Sequence, residues 1–219
     1  MTADNIISMY QQLVGDSMDS VTEYNLLNAA KDKLEQERDW AYLMSLDETQ
    51  SVATGDTYLS MKTLPSDFSR PMDSGIYVGT DIVPYDIIPF QDRIRWQSIS
   101  HRYYIDLANS QYGIFGTPTA GTIHFFYLKT TPTLASGISP SFPERFHPIL
   151  AYKMAQMFYA VDQGQKFIAW DDRWTAYYNE MFEAMSAWDA RIQQNAQSNK
   201  RIIDRIDTRA YPDIIDGMF

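Results

Sequence analysis

Cysteine is absent from all 219 residues. Disulfides and thiolate chemistry go with it, and the chain suits a cytoplasm. Positive charge is also short: 18 Lys and Arg stand against 28 Asp and Glu, a net charge of −10. A protein that holds nucleic acid by neutralising phosphates needs the opposite balance, as does one lying on an anionic membrane. No apolar run approaches the length of a membrane span. The N-terminal MTADNIISMYQQ has neither the basic start nor the continuous apolar stretch of a secretory signal.

Catalytic signatures are missing as well. Gly164-Gln165-Lys166-Phe167 lacks the rest of a phosphate-binding loop, and Gly113, Gly116 and Gly121 are spaced for turns. His101, His124 and His147 are scattered and form no metal-binding pair. Asp171 and Asp172 are adjacent, so on a helix they point apart and make a poor acid/base pair. A nucleophile–histidine–acid set assembles in space, and no spacing here favours one. Arg93, Arg95, Trp96, Arg102, Tyr103 and Tyr104 come nearest to a basic, aromatic nucleic-acid reader, in a region that reads as β. The residues alone therefore predict an architecture and no reaction, cofactor or metal.

What is abundant is aromatic surface: 15 Tyr, 11 Phe and 5 Trp, enough for a core and for interfaces. Ile6, Met9, Tyr10 and Leu13 predict a first helix ended by Gly15. Asp19 or Ser20 can cap a second, with Val21, Tyr24, Leu27, Ala30, Leu34 and Leu43 as its stripe, running to about Leu46. Lys31, Asp32, Lys33, Glu35, Glu37 and Arg38 read as its solvated face. The periodicity then changes. Thr57–Leu64 alternates as a strand, and β-type segments follow at 75–78, 82–90, 94–99, 103–107, 112–115 and 122–129. Pro84 and Pro89 keep the second of these out of a sheet centre. Helical spacing returns in Ser141–Asp162, where Ser141 and Glu144 have capping-box spacing, and in about Phe167–Gln197, striped with Trp170, Trp174, Tyr177, Tyr178, Met181, Phe182, Met185, Trp188 and Ile192.

The expected fold is α+β: a four-helix-type bundle from 1–46 and 142–199, interrupted by an antiparallel β insertion at 47–141, with an extended C-terminal tail at 200–219. The tail is too apolar for a solvated linker and too short to fold alone. Its Ile202, Ile203, Ile206, Tyr211, Ile214, Ile215, Met218 and Phe219 are candidate docking residues for a neighbour or partner. Acid concentrates at the other end, with ten Asp and Glu against three Lys and Arg in residues 1–50.

This order of elements resembles the head-to-tail adaptors of tailed bacteriophages, in particular the tail-tubular A-like adaptors of short-tailed phages. The likeness is carried by Arg38-Asp39-Trp40 at the end of a long helix, by Leu64-Pro65-Ser66-Asp67-Phe68 after a first strand, and by Pro143-Glu144-Arg145-Phe146 leading into a helix with Ala151, Ala155 and Phe158. The resemblance implies a structural, non-enzymatic virion protein of the neck, assembled in the host cytoplasm. It implies a ring of twelve subunits under the portal, a tail or nozzle protein on the other side, and genomic DNA passing through without specific binding. On that reading Glu35 and Glu37 are candidate channel-facing acids, since negative walls let DNA slide. A tail-associated receptor- or glycan-binding module using the aromatic β region is the alternative.

Overall fold

A computed structural model describes the backbone of all residues except 81–82, 98, 117–119, 162–167 and 210–219; side chains at 73–74, 160–161, 168–171 and 195–209 are also outside the description. The chain divides into two compact units, Met1–Tyr42 with Thr133–Phe219, and Leu43–Pro132. The first is helical and the second is β, so the fold class is α+β.

In the helical unit, α1 (Ala3–Val14) stops where Gly15 takes φ 73° and returns its N–H to the Gln11 carbonyl at 2.8 Å. Asp19 caps α2 (Ser20–Gln36) by accepting the Thr22 N–H at 3.0 Å. α2 ends ten residues before the expected Leu46, because Trp40 turns inward. Its indole N–H takes the Leu34 carbonyl at 2.8 Å, and its ring, fully buried, meets Phe182 edge-on at 5.5 Å. Burying an indole of this size outweighs another turn of helix.

α3 (Pro148–Val161) begins at a proline, where no N–H is missed. The expected cap at Ser141 does not form: a 3-10 turn at Glu144–Phe146, entered from Pro143, intervenes. α4 (Ile168–Arg209) is a single helix of 42 residues, about 63 Å at 1.5 Å per residue. It runs past the expected end near Gln197, so residues 200–209 continue a helix where a separate tail was expected. α3 is the element the others share. It packs against α1, α2 and α4, through Ile149, Leu150, Ala151, Met154 and Ala155, all fully buried. Among the described residues the structure shows three helices gathered on a fourth, which is less than the bundle expected.

In the β unit, β8 (Gly121–Lys129) is the centre of the first sheet. β1 (Met44–Asp47) and β2 (Ser51–Val52) pair antiparallel along one edge and β4 (Phe68–Val78) along the other. The second sheet runs β3 (Lys62–Thr63), β7 (Gln111–Phe115), β6 (Arg102–Asp106), β5 (Asp86–Ile87), antiparallel except for the β5–β6 pair. Alternate residues of both sheets, Ile123, Phe125 and Tyr127 with Tyr103, Tyr112 and Ile114, make one core. Three expected β segments are absent or shortened. Of Thr57–Leu64 only Lys62–Thr63 pairs, among the described residues of 82–90 only Asp86–Ile87 forms a strand, and 94–97 forms turns. Tyr58, Met61, Phe90 and Trp96 instead fold over the far face of the second sheet, onto Ile88, Tyr104 and Phe115. The Tyr104 ring lies across Gly113, its cross-strand partner, where a Cβ would come within 2.6 Å of the ring and 2.5 Å of the Tyr58 carbonyl.

Candidate assembly surfaces

The histidines are not gathered. His124 holds Glu48 at 2.6 Å on a sheet face, and the His101 ring lies on Tyr85. His147 is buried between the Met1 and Phe142 carbonyls at 2.9 and 2.8 Å, a structural tie. Among the described residues no group of three or more His, Asp or Glu is placed to hold a metal ion, and no helix is long and apolar enough to cross a membrane.

Two knots of polar groups hold the helical unit together. Asp189, fully buried on α4, accepts the Ala41 N–H at 2.6 Å and Gln193 Nε2 at 2.9 Å, with Arg38 Nε at 3.3 Å. It fixes the chain where it leaves the helical unit. Sequence reading missed it, although an acid four residues after Met185 on an otherwise apolar stripe is a readable sign. Asp4 gathers a second knot: it accepts from the Tyr24 hydroxyl, from Gly137 N–H at 2.8 Å and from Ser136 Oγ at 3.2 Å. The Tyr24 bond, then the Gly137 bond, hold its carboxyl below the usual range. Burial pushes the hydroxyls of Tyr10, Tyr42, Tyr103, Tyr112 and Tyr178 well up.

The expected solvated face of α2 is partly occupied. Lys31 is 5% exposed. Glu37, one of the two candidate channel acids, accepts from Lys153 Nζ at 3.1 Å and from the Tyr178 hydroxyl at 2.8 Å. Glu35, the other, is half-buried on the last turn of α2. Of the candidate docking residues, Ile202, Ile203 and Ile206 belong to the last turns of α4, with side chains outside the described residues. Tyr211, Ile214, Ile215, Met218 and Phe219 lie outside them altogether.

Exposed apolar side chains concentrate in the β unit: Leu59, Val83, Ile87, Ile94, Ile99 and Leu107 are each more than 40% exposed. Aromatic surface is also stacked along the helices, where Tyr152 lies against Trp174 and Tyr177 with centroids at 6.3 and 5.5 Å. Such surfaces suit protein contacts better than chemistry.

No curated protein matches the chain. The family model described as SU10 adaptor protein matches residues 1–202. With that match spanning both units and the surfaces organised for contact, the chain belongs to the SU10 adaptor protein family and is a structural adaptor of a bacteriophage, as its likeness to head-to-tail adaptors implied.

Proposed function

We propose that this adaptor forms a ring of twelve copies beneath the portal in the virion neck, extends the DNA channel towards the tail, and meets a tail or nozzle protein on its far side. Residues 200–219 dock on the portal. The observation that carries the reading is α4. It bonds to its own unit through Gln193, whose side chain donates to the Asp39 carbonyl at 3.3 Å, and continues as helix to Arg209. A helix about three times as long as its 14-residue partner α3 offers a long surface for a neighbouring chain.

The acid of residues 1–50 gives the channel its sign, and DNA slides where walls repel phosphate. Glu37 also serves Lys153 and Tyr178, so its reversal would disturb packing as well as charge. Glu35→Lys tests the charge at the other position: slowed genome ejection supports the channel role, and unchanged ejection removes it.

The ring itself is tested by mixing the purified protein with its portal and imaging by electron microscopy. A twelvefold ring on the portal is the expected result. Removing 200–219 should leave a folded chain that no longer binds portal; retained binding would refute the docking role. Because α4 runs to Arg209, a second truncation after that residue separates the helix end from the segment beyond it.

A further inference from the structure

We propose that two adjoining turns of the β unit, 57–61 and 88–97, form a rigid apolar and basic tip that docks on the acidic α1–α2 corner of a second copy of this chain. The inference rests on the ring reading above and names the surfaces that would join its subunits.

The tip is braced from beneath. Tyr58 stacks on Phe115 with centroids at 5.2 Å and planes 8° apart, and the Tyr104 hydroxyl donates to the Tyr58 carbonyl at 2.9 Å. The Tyr58 hydroxyl reaches Gln97 Oε1 at 3.4 Å, which ties the two turns. Arg93 lays its guanidinium over the Phe90 ring at 3.9 Å and donates to the Phe90 carbonyl at 3.0 Å. Backbone bonds from Arg95 and Trp96 to the Asp92 carbonyl, and from Ile99 to Trp96, wind the segment tightly. On this base Leu59 and Ile94 stand 67% and 65% exposed. Aliphatic side chains held out by a stiff scaffold cost little further ordering when they bind. The tip carries Arg93 and Arg95 against Asp92 alone, in a protein of net charge −10.

The corner offers the complement. Where α1 turns into α2, Ser8, Gln11, Gln12, Gly15, Asp16 and Ser17 line an open groove. Asp16 and Asp19 are exposed beside it, and Val21, on the first turn of α2, is 67% exposed. An exposed apolar and cationic turn thus has a shallow, anionic counterpart with an apolar neighbour. Two different patches on one chain, each suited to the other, give the head-to-tail contact from which rings close. DNA is a poorer occupant. A phosphate-binding surface presents its cations outward, whereas Arg93 is laid on Phe90 and Arg102 is paired with Asp86, leaving the Arg95 guanidinium alone without a partner among the described residues.

The test places a photo-crosslinking residue at Ile94 in full-length protein assembled on its portal, using an equal mixture of isotopically light and heavy chains. Light–heavy crosslinks into residues 8–21 are expected. Crosslinks to portal, to DNA, to another part of the neighbouring copy or only within one chain would overturn the interface. Ile94→Asp and Leu59→Asp should keep the unfolding profile of the parent and weaken subunit association by roughly tenfold or more, the scale of losing a buried anchor. Arg95→Glu should weaken association and Arg95→Glu with Asp16→Arg should regain part of it; normal association by all three single variants would overturn the proposal. If the parent protein assembles no ring on portal, the ring reading falls and takes this one with it. If the ring forms and the crosslinks land elsewhere, only this inference falls.

Discussion

Replacing Asp189 gives the sharpest test of how the helical unit is held. In Asp189→Ala the Ala41 N–H and Gln193 lose their acceptor, at 2.6 and 2.9 Å, and Arg38 loses its carboxylate at 3.3 Å. Breaking a buried ion pair from one side costs about 3–5 kcal/mol. The Arg38 side chain is 35% exposed and can rehydrate, which removes part of that cost. The orphaned amide restores part of it, since a buried donor without a partner costs about 1–3 kcal/mol. The expected loss is about 3 kcal/mol, near the low end of the range for breaking such a pair. Asp189→Asn keeps a carbonyl for the Ala41 N–H but turns an NH2 towards Gln193 Nε2 and Arg38 Nε, both donors to the other carboxylate oxygen, so it saves the backbone bond alone and should cost less than the alanine, roughly 2 kcal/mol. Urea denaturation of both variants, followed by tryptophan fluorescence, measures this: midpoints should fall in the order wild type, Asn, Ala, with slopes unchanged. An alanine variant within about 0.5 kcal/mol of the parent, the ordinary range for a surface change, would refute the reasoning. So would an asparagine variant as damaged as the alanine one, because the backbone bond would then carry nothing.

Gly113→Ala pushes a Cβ to within 2.6 Å of the Tyr104 ring and 2.5 Å of the Tyr58 carbonyl, so the β unit should lose about 1–3 kcal/mol, read as a lower thermal midpoint. The raised hydroxyls of Tyr10, Tyr42, Tyr103, Tyr112 and Tyr178 stabilise the fold below the unfolded tyrosine pKa, about 10. That stability is lost as pH rises from there, so ultraviolet titration should show these five ionising together with alkaline unfolding; early, independent ionisation would contradict their burial. Asp4 is the opposite case: its lowered carboxyl stabilises above the unfolded value, and the contribution fades as pH falls through the folded one. Asp4→Ala should release the Gly137 amide, seen as faster hydrogen exchange there than in the parent, and equal exchange would show that the knot holds nothing.

Apolar spacing and punctuation in the sequence were sufficient for the helices and the better strands. Gly15 and Asp19 stop and start α1 and α2 as read, and β8 is where its alternation placed it. These signals are local: a left-handed glycine, a capping carboxylate and a two-residue period act on the chain within a few residues. The absence of cysteine and the excess of acid bounded the chemistry in the same direct way.

Tertiary structure decided what depends on distant partners. Trp40 reads as one more helical residue, and only Phe182, far along the chain, explains why α2 ends before it. Thr57–Leu64 alternates like a strand, yet Tyr104 and Phe115 draw Tyr58 and Met61 across a sheet face. Asp189 falls on the apolar stripe of its helix, and what it holds is decided only when Ala41 and Arg38 are brought to it. The exposure of Leu59 and Ile94 follows from which neighbours were used to bury Tyr58, Phe90 and Trp96. Local preference is worth tenths of a kcal/mol per residue, and burying one aromatic ring is worth several times that, so long-range packing prevails wherever the two conflict.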